Sequence, residues 1–509
     1  MGRLTSLVKE TAIYGVSSIL GRMLNWLLVP LYTQYLLPAE YGIVTELYAY
    51  AAFLLIIYTY GMETAFFRFT NKLENKRQFI LNQSQASVLV SSILFSTLLI
   101  LFSTPIINYL EYPGKEKYII WFSIILAIDA IVAIPFANLR LQQKAKKFAW
   151  IKIVNIFLNI GFNLFFIVLC TYVVSQSHES PFKNVITHFF DQNELVDYIF
   201  ISNLVASGAM ILIFLKEIIK IRIKLNWSLL SEMYRYAFPI MIMSLAGVTN
   251  EMLSRAVLKK WLPEGFYPGY SNQAALGIFG AAYKLSVFMT LSIQAFRYAA
   301  EPFFFSRAKD KDSRDLFSSV MFWFIIFGSF ILVAIVLNLD IIGFLFLRNE
   351  AYWDGLIVVP ILLLANLFLG IYYNLSIWFK LTDKTYYGTL ISVSGAVLTI
   401  ILNYIFIPIW GYLGSSIATL ACYFSMVVFS YFLGRKQYPI PYKIGKYLFY
   451  IILALILTYL GYNKPEDYTI KFKLYQFTLI LLYVIMVALL ERRQLGSLFK
   501  TKRNESKNR

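Results

Sequence analysis

The sequence predicts an all-α polytopic membrane protein of about 14 transmembrane helices, and three observations predict it. Of the 509 residues, 59% are hydrophobic and 15% charged, against roughly 45–50% apolar and about 25% charged in soluble domains. The apolar residues form continuous runs near the length that crosses a bilayer core, about 20 residues, without the alternation of a barrel strand. Lys and Arg gather in every second loop, the pattern that cytoplasmic loops impose. A mean hydropathy of +0.63 agrees. Together these exclude a soluble enzyme, a disordered tail protein and a secreted disulfide scaffold.

Taken in order, the runs are Thr11–Tyr35, Tyr41–Met62, Ser84–Tyr109, Tyr118–Leu139, Phe148–Val174, Tyr198–Leu215, Tyr236–Leu258, Ala274–Ala300, Leu316–Leu339, Trp353–Phe379, Tyr386–Ile409, Tyr412–Leu433, Tyr447–Tyr462 and Leu474–Leu490. The first is too long and too polar for a cleaved signal peptide. The last two are the shortest. The longest external loop, 175–197, is polar and leaves no room for a large external domain. With the N-terminus inside, cytoplasmic segments carry 33 basic residues and external loops 10, with Arg22, Lys152 and Lys284 mid-span. That bias predicts both termini in the cytoplasm. It also assigns much of the net charge of +18 to topology and anionic lipid heads, not to nucleic acid. The two Cys and two His give no basis for a redox, metal or His-based catalytic centre.

The halves repeat. Gly42-Ile43 matches Gly277-Ile278, Asn138 matches Asn374, Lys144 matches Lys380, and Asn163–Ile167 matches Asn403–Ile407, in one order at offsets of 235 to 240. Six spans fit each unit, so the repeats run parallel, a transporter architecture. The expected organisation is an N-lobe over 1–225, a C-lobe over 226–438, two further helices over 439–491 and a basic cytoplasmic tail over 492–509.

Ionisable groups in lipid are costly and usually serve a cavity or a partner. Gly15, Ser18, Arg22 and Asn25 share one face of the first span, spaced 3, 4 and 3. Lys152, Asn155, Asn159 and Asn163 form a second stripe on the fifth. Lys284 lies mid-way along the eighth span, with Gln294 and Arg297 toward its inner end. Arg255 sits one turn after Glu251, where an i, i+4 ion pair is an equal reading. Arg22 fits either a cavity or a pair with Asp129, and Lys152 either a cavity or snorkelling. The central charge is positive. Arg22, Lys284, Arg255, Arg297 and Lys152 therefore suit phosphate oxygens, and Ser18, Asn25, Asn155, Asn159 and Gln294 suit sugar hydroxyls. Asp129 and Glu46 are the carboxylates that could take a coupling H⁺ or Na⁺. No other cofactor is expected.

The segment from Gly15 through Ser18, Gly21-Arg22, Pro30-Leu31-Tyr32 and Leu36 to Pro38-Ala39-Glu40-Tyr41-Gly42 resembles the opening of Wzx-type polysaccharide flippases. These belong to the multidrug/oligosaccharidyl-lipid/polysaccharide (MOP) superfamily, with the MATE exporters and the lipid II flippase. The resemblance implies two six-helix lobes in a V about a central cavity, plus two C-terminal helices. It implies movement of undecaprenyl-diphosphate-linked oligosaccharide repeat units to the outer leaflet of the bacterial inner membrane by alternating access. Arg22 falls where the family often has a basic cavity residue, and Lys284 is its counterpart in the second lobe. The second span lacks the mid-membrane Arg of the lipid II branch, which favours an oligosaccharide substrate. Membrane lipids and other polysaccharide assembly proteins are the expected partners of a monomer. The glycan's destination stays open between O-antigen of lipopolysaccharide, capsule and exopolysaccharide. A MATE-like cation exporter, a passive scramblase and a membrane-embedded polysaccharide enzyme are the competing readings. The central cations argue against the exporter, and the short external loop and lack of a membrane-embedded His against the enzyme.

Overall fold

The computed structural model describes residues 20–494 apart from 22, 25, 177–180, 309 and 463–469. The opening part of the first predicted span, with Ser18, and also Arg22, Asn25 and nearly all of the basic tail lie outside the described residues. The rest is helical, and no strand occurs among the described residues.

Eleven described helices are long and apolar enough to cross a membrane, or twelve with the pair parted at Ser286 counted as one span. Each overlaps a predicted run; Arg77–Leu101, Gln192–Ile213 and Ser313–Val336 stop short of its end, and others extend past it where the chain supplies its own ends. Trp227–Trp261 starts nine residues before its apolar run because the Asn226 side chain accepts the Leu229 amide at 3.0 Å, satisfying an orphan donor of the first turn. Pro38–Thr59 opens with Pro38 at its first position, where the missing N–H is no loss. There the Leu37 amide donates to Glu40 Oε2 at 2.7 Å. The fifth span runs as Ala145–Asn163, then a π-helix over Leu164–Cys170, then Thr171–Ser175.

Tyr386–Gln437 has 52 residues, about 78 Å at 1.5 Å per residue, against a hydrocarbon core of about 30 Å. It therefore makes two crossings, parted at Gly411. That residue sits at φ 57, ψ −136, a region only glycine enters cheaply. A Cβ there would lie 2.2 Å from the Tyr267 hydroxyl. Tyr267 stacks on Tyr412 at 4.6 Å and accepts its amide at 3.1 Å, so the loop after the seventh span covers this turn.

The chain packs as two compact units, Met1–Ala281 with Ser392–Ser415, and Ala282–Ile391 with Ser416–Arg509. In the first, Tyr58, Met62, Phe66, Ile80, Leu126 and Ile134 pack with Leu230, Met233 and Ala237. Phe136, Phe148, Ile151, Met210 and Phe214 form a second core across the fourth to sixth spans. In the second unit Tyr372, Trp378, Phe379, Ile391, Cys422 and Tyr423 cluster, as do Ala300, Phe304, Phe317 and Ile377. A polar contact ties the last helix to the rest of the unit, and another joins the two C-terminal helices to each other. Lys473 donates to Asp340 at 2.6 and 2.8 Å, and Lys446 to Glu491 at 2.7 and 3.0 Å.

Similar bonding patterns occur in the two halves of the chain, although Arg140, and not the sequence match Lys144, makes the ion pair that resembles that of Lys380. Asn163 accepts the Tyr32 hydroxyl at 2.9 Å and donates to the Asn159 carbonyl at 2.8 Å. Asn403 accepts the Ser254 hydroxyl at 3.0 Å and donates to the Thr399 carbonyl at 2.8 Å. Arg140 pairs with Glu63, and Lys380 pairs with Glu301.

Candidate functional site

The polar residues picked from the sequence fall into three places. In the first unit the fifth-span stripe faces the fourth and sixth spans. Asn155 donates to the Ala206 carbonyl at 3.0 Å, and Asp129 accepts the Ser207 hydroxyl at 3.0 Å. Nearby, Asn203 donates to the Tyr48 hydroxyl at 2.9 Å. Asn159 and Asn163 continue the stripe toward Tyr32. Lys152 is exposed and lies over the Phe136 ring, its ammonium 4.4 Å from the centroid, a favourable seat for a cation against an aromatic face. Arg255 is buried on the seventh span, and one of its guanidinium N–H groups reaches the Glu251 main-chain carbonyl at 2.8 Å.

In the second unit Lys284 is half-buried two residues before the break at Ser286, and Gln294 is half-buried on Val287–Arg307. Arg297 stacks over Tyr373, 4.0 Å from ring centre to guanidinium carbon, and lies 3.9 Å from Glu301, which Lys380 shares. Two cations and an aromatic face thus converge on one carboxylate at the end of the eighth span.

The third place surrounds Glu46. Glu46, singled out as a coupling carboxylate, is fully buried near the start of Pro38–Thr59. The Tyr112 hydroxyl donates to it, and Lys259 lies 3.6 Å from its Oε2. Lys259 also donates to the Leu110 carbonyl at 2.5 Å, sits 3.2 Å from Glu111 and lies 4.1 Å over the Tyr112 ring. Lys260 pairs with Glu111 at 3.2 Å and donates to the Tyr109 carbonyl. Burial works against the charged form of Glu111, but hydrogen bonds and charges from Lys260 and Lys259 outweigh it and hold this loop carboxyl below its usual range. A signal for this cluster exists in the sequence. Two adjacent lysines stand in a loop assigned to the outside, where basic residues are disfavoured.

Beside this cluster the helices touch. A Cβ on Gly277 would lie 1.8 Å from the Pro38 carbonyl oxygen and 2.9 Å from the Gly42 nitrogen, and one on Gly42 would lie 2.2 Å from the Gln273 carbonyl oxygen. The Gln273 side chain donates to the Ala39 carbonyl at 2.9 Å. Gly42 and Gly277 are mates in the repeat, so the two equivalent positions meet each other.

Comparison with known proteins adds the following. The family profile described as "Polysaccharide biosynthesis protein" matches residues 7–306. No curated protein sequence matches the chain. Among solved structures, the lipid II flippase MurJ in an inward closed conformation is similar with a TM-score of 0.68 and 16% identity, over 95% of this chain and 100% of that one. An inward-facing multidrug resistance MATE family transporter of the MOP superfamily gives 0.59 and 14%, over 82% and 94%. An outward-facing one gives 0.54 and 13%, over 84% and 95%. The helical fold is the one these flippase and transporter structures share.

Proposed function

The chain belongs to the polysaccharide biosynthesis protein family, and from that premise we propose that it is a flippase for undecaprenyl-diphosphate-linked oligosaccharide repeat units. One observation carries the reading: cations outnumber carboxylates along the spans, Arg22, Lys152, Arg255, Lys284 and Arg297 against Glu46, Asp129, Glu251 and Asp354, and Lys284 and Arg297 are half-buried there. A diphosphate cannot enter hydrocarbon bare, because an unpaired charge there is prohibitively costly. Arg22, Lys284, Arg255, Arg297 and Lys152 are the proposed phosphate ligands, one set in each repeat. Asn155, Asn159 and Gln294, with Ser18 and Asn25, are the proposed sugar contacts.

On this reading residues 1–225 and 226–438 are the two lobes of an alternating-access carrier, and 439–491 the added pair. The basic loops and both termini face the cytoplasm of a bacterial inner membrane. The chain works as a monomer and catalyses no covalent step. Of the two coupling carboxylates, Glu46 is engaged by Lys259 and Tyr112. Asp129, which accepts the Ser207 hydroxyl and is half-buried, is therefore the group we assign to a coupling H⁺ or Na⁺. The absence of Arg from the middle of the second span supports an oligosaccharide substrate over lipid II.

The test is transbilayer movement of an undecaprenyl-diphosphate oligosaccharide in proteoliposomes, comparing the parent with Lys284→Ala and with Arg22→Ala plus Lys284→Ala. Movement that falls at least tenfold in the double variant, at unchanged expression, supports the reading. Equal movement in all three removes the assigned grip. Movement of cationic dyes instead of the lipid would make the chain an exporter.

A further inference from the structure

The cluster at Glu46 and Lys259 joins segments far apart in the chain. Glu46 belongs to the second span, residues 109–112 follow the third, and Lys259 and Lys260 end the seventh. All lie within one compact unit. On the proposed orientation this is the outer end of the path, the side where the substrate leaves. Here the seventh span is fastened to the second and third by two ammonium groups, two carboxylates, two main-chain carbonyls and a phenol.

The fastening is not an ordinary surface ion pair. The Glu46 side chain is fully buried and that of Lys259 is 5% exposed. Yet the pair stands 3.6 Å apart, and Glu46 Oε1 has no hydrogen-bond partner among the described residues. A buried carboxylate with an empty oxygen holds its partner at a loss. Such an arrangement gives way readily when another anion offers the lysines better geometry. The helix that carries the lysines can also bend. Its inner part, through Leu230, Met233 and Ala237, is packed into the core, and Pro239 follows. Proline donates no bond to the preceding turn, so the outer part can move while the inner part stays anchored.

We propose that Lys259 and Lys260 form an exit site for the substrate's diphosphate, with Glu46, Glu111 and the Tyr109 and Leu110 carbonyls as internal stand-ins for its oxygens while this end is closed. The assignment rests on the flippase reading above for the identity of the ligand. Its charge balance is simple. Two cations meet two carboxylates in the closed state, and a diphosphate diester brings two negative charges to the same lysines in the open one. A ligand shifts such an equilibrium only by its preference for one state. The diphosphate has that preference, because the lysines are free to receive it only after Glu46 and Glu111 have let go. The substrate thereby helps to open its own way out.

The experiment uses Ala256→Cys, one turn inside the lysines, where the native side chain is 3% exposed. The native Cys170 and Cys422 are fully buried, and the parent chain serves as the blank. Labelling by a membrane-impermeant maleimide is followed from the outer side, with inorganic pyrophosphate or with sodium chloride of equal ionic strength. Pyrophosphate is expected to speed labelling at least fivefold over chloride. Glu111→Gln is expected to raise the basal rate and lower the pyrophosphate needed. Lys260→Gln, with an unchanged melting temperature, is expected to lose the response. Equal acceleration by both salts, or a response retained in Lys260→Gln, would overturn the exit site. Transport of the lipid-linked oligosaccharide is measured on the same vesicles. Transport without a pyrophosphate response refutes the exit site alone, and a response without transport refutes the flippase reading.

Discussion

Replacing Gly277 by Ala sets a methyl carbon 1.8 Å from the Pro38 carbonyl oxygen, with the Pro38 carbon at 2.8 Å and the Gly42 nitrogen at 2.9 Å. All three neighbours are backbone, so no rotamer change relieves the clash. Bringing the closest contact out to 3.0 Å moves the helices Pro38–Thr59 and Asn272–Leu285 apart by about 1.2 Å. Overpacking of this kind costs about 3 kcal/mol, and alanine returns about 1 kcal/mol over glycine in a helix interior. The net loss of about 2 kcal/mol is roughly a thirtyfold shift in equilibrium, and it falls on the state in which the two helices touch. Thermal melting in detergent and maleimide labelling at Ala256→Cys both read it. The variant is expected to melt lower and label faster. Gly247→Ala and Gly445→Ala are the controls, since a Cβ at either meets nothing within 4 Å; each is expected to melt no lower than the parent. Unchanged melting and labelling in Gly277→Ala would refute the close crossing.

Three further outcomes are expected. Because the Glu111 carboxyl is held below its usual range by Lys260 and Lys259, its contribution to closure is present above the ordinary carboxylate value and lost as pH falls through the lowered native one. Labelling at Ala256→Cys should therefore gain a step below the ordinary carboxylate range, and Glu111→Gln should remove it; a step that persists unchanged in Glu111→Gln would contradict the assignment. Glu301→Gln and Lys380→Met, in a double-mutant cycle read by melting, should show a coupling of about 0.5 kcal/mol, since both side chains are part-exposed; a coupling above about 2 kcal/mol would mean that the pair is sealed from water. Glu491→Leu strips the acceptor from the buried Tyr450 hydroxyl and from Lys446. It should lower stability by about 2 kcal/mol, and a melting temperature equal to the parent's would show that the Glu491 contacts do not hold the C-terminal pair together.

The spans were legible because lipid demands long apolar runs, and thirteen of the predicted runs coincide with described helices. Their ends were less so. The polar turn before Tyr236 is helical because Asn226 caps it, a local bond that hydropathy does not see. The repeat was legible in Gly42 and Gly277, but not that the two touch, since sequence offsets carry no distances. Glu46 looked like a solitary acid in a span. Its partner is 213 residues away, and only the fold brings Lys259 to it. The similar ion pairs Glu63–Arg140 and Glu301–Lys380 were equally hidden, because the paired residues differ in type and spacing between the halves.

The meeting of Gly42 with Gly277 has a consequence for the chain's ancestry and its tolerance of change. A position that contacts its own repeat mate lies at a self-complementary junction, like the residues at the two-fold of a homodimer. A half-length precursor would have needed one small residue to form that crossing, and would have used it twice. After duplication the one requirement became two, on helices of a single chain that can drift separately. Each is now bound by the smallness of the other, so a side chain gained on one side has no compensating loss left on the other.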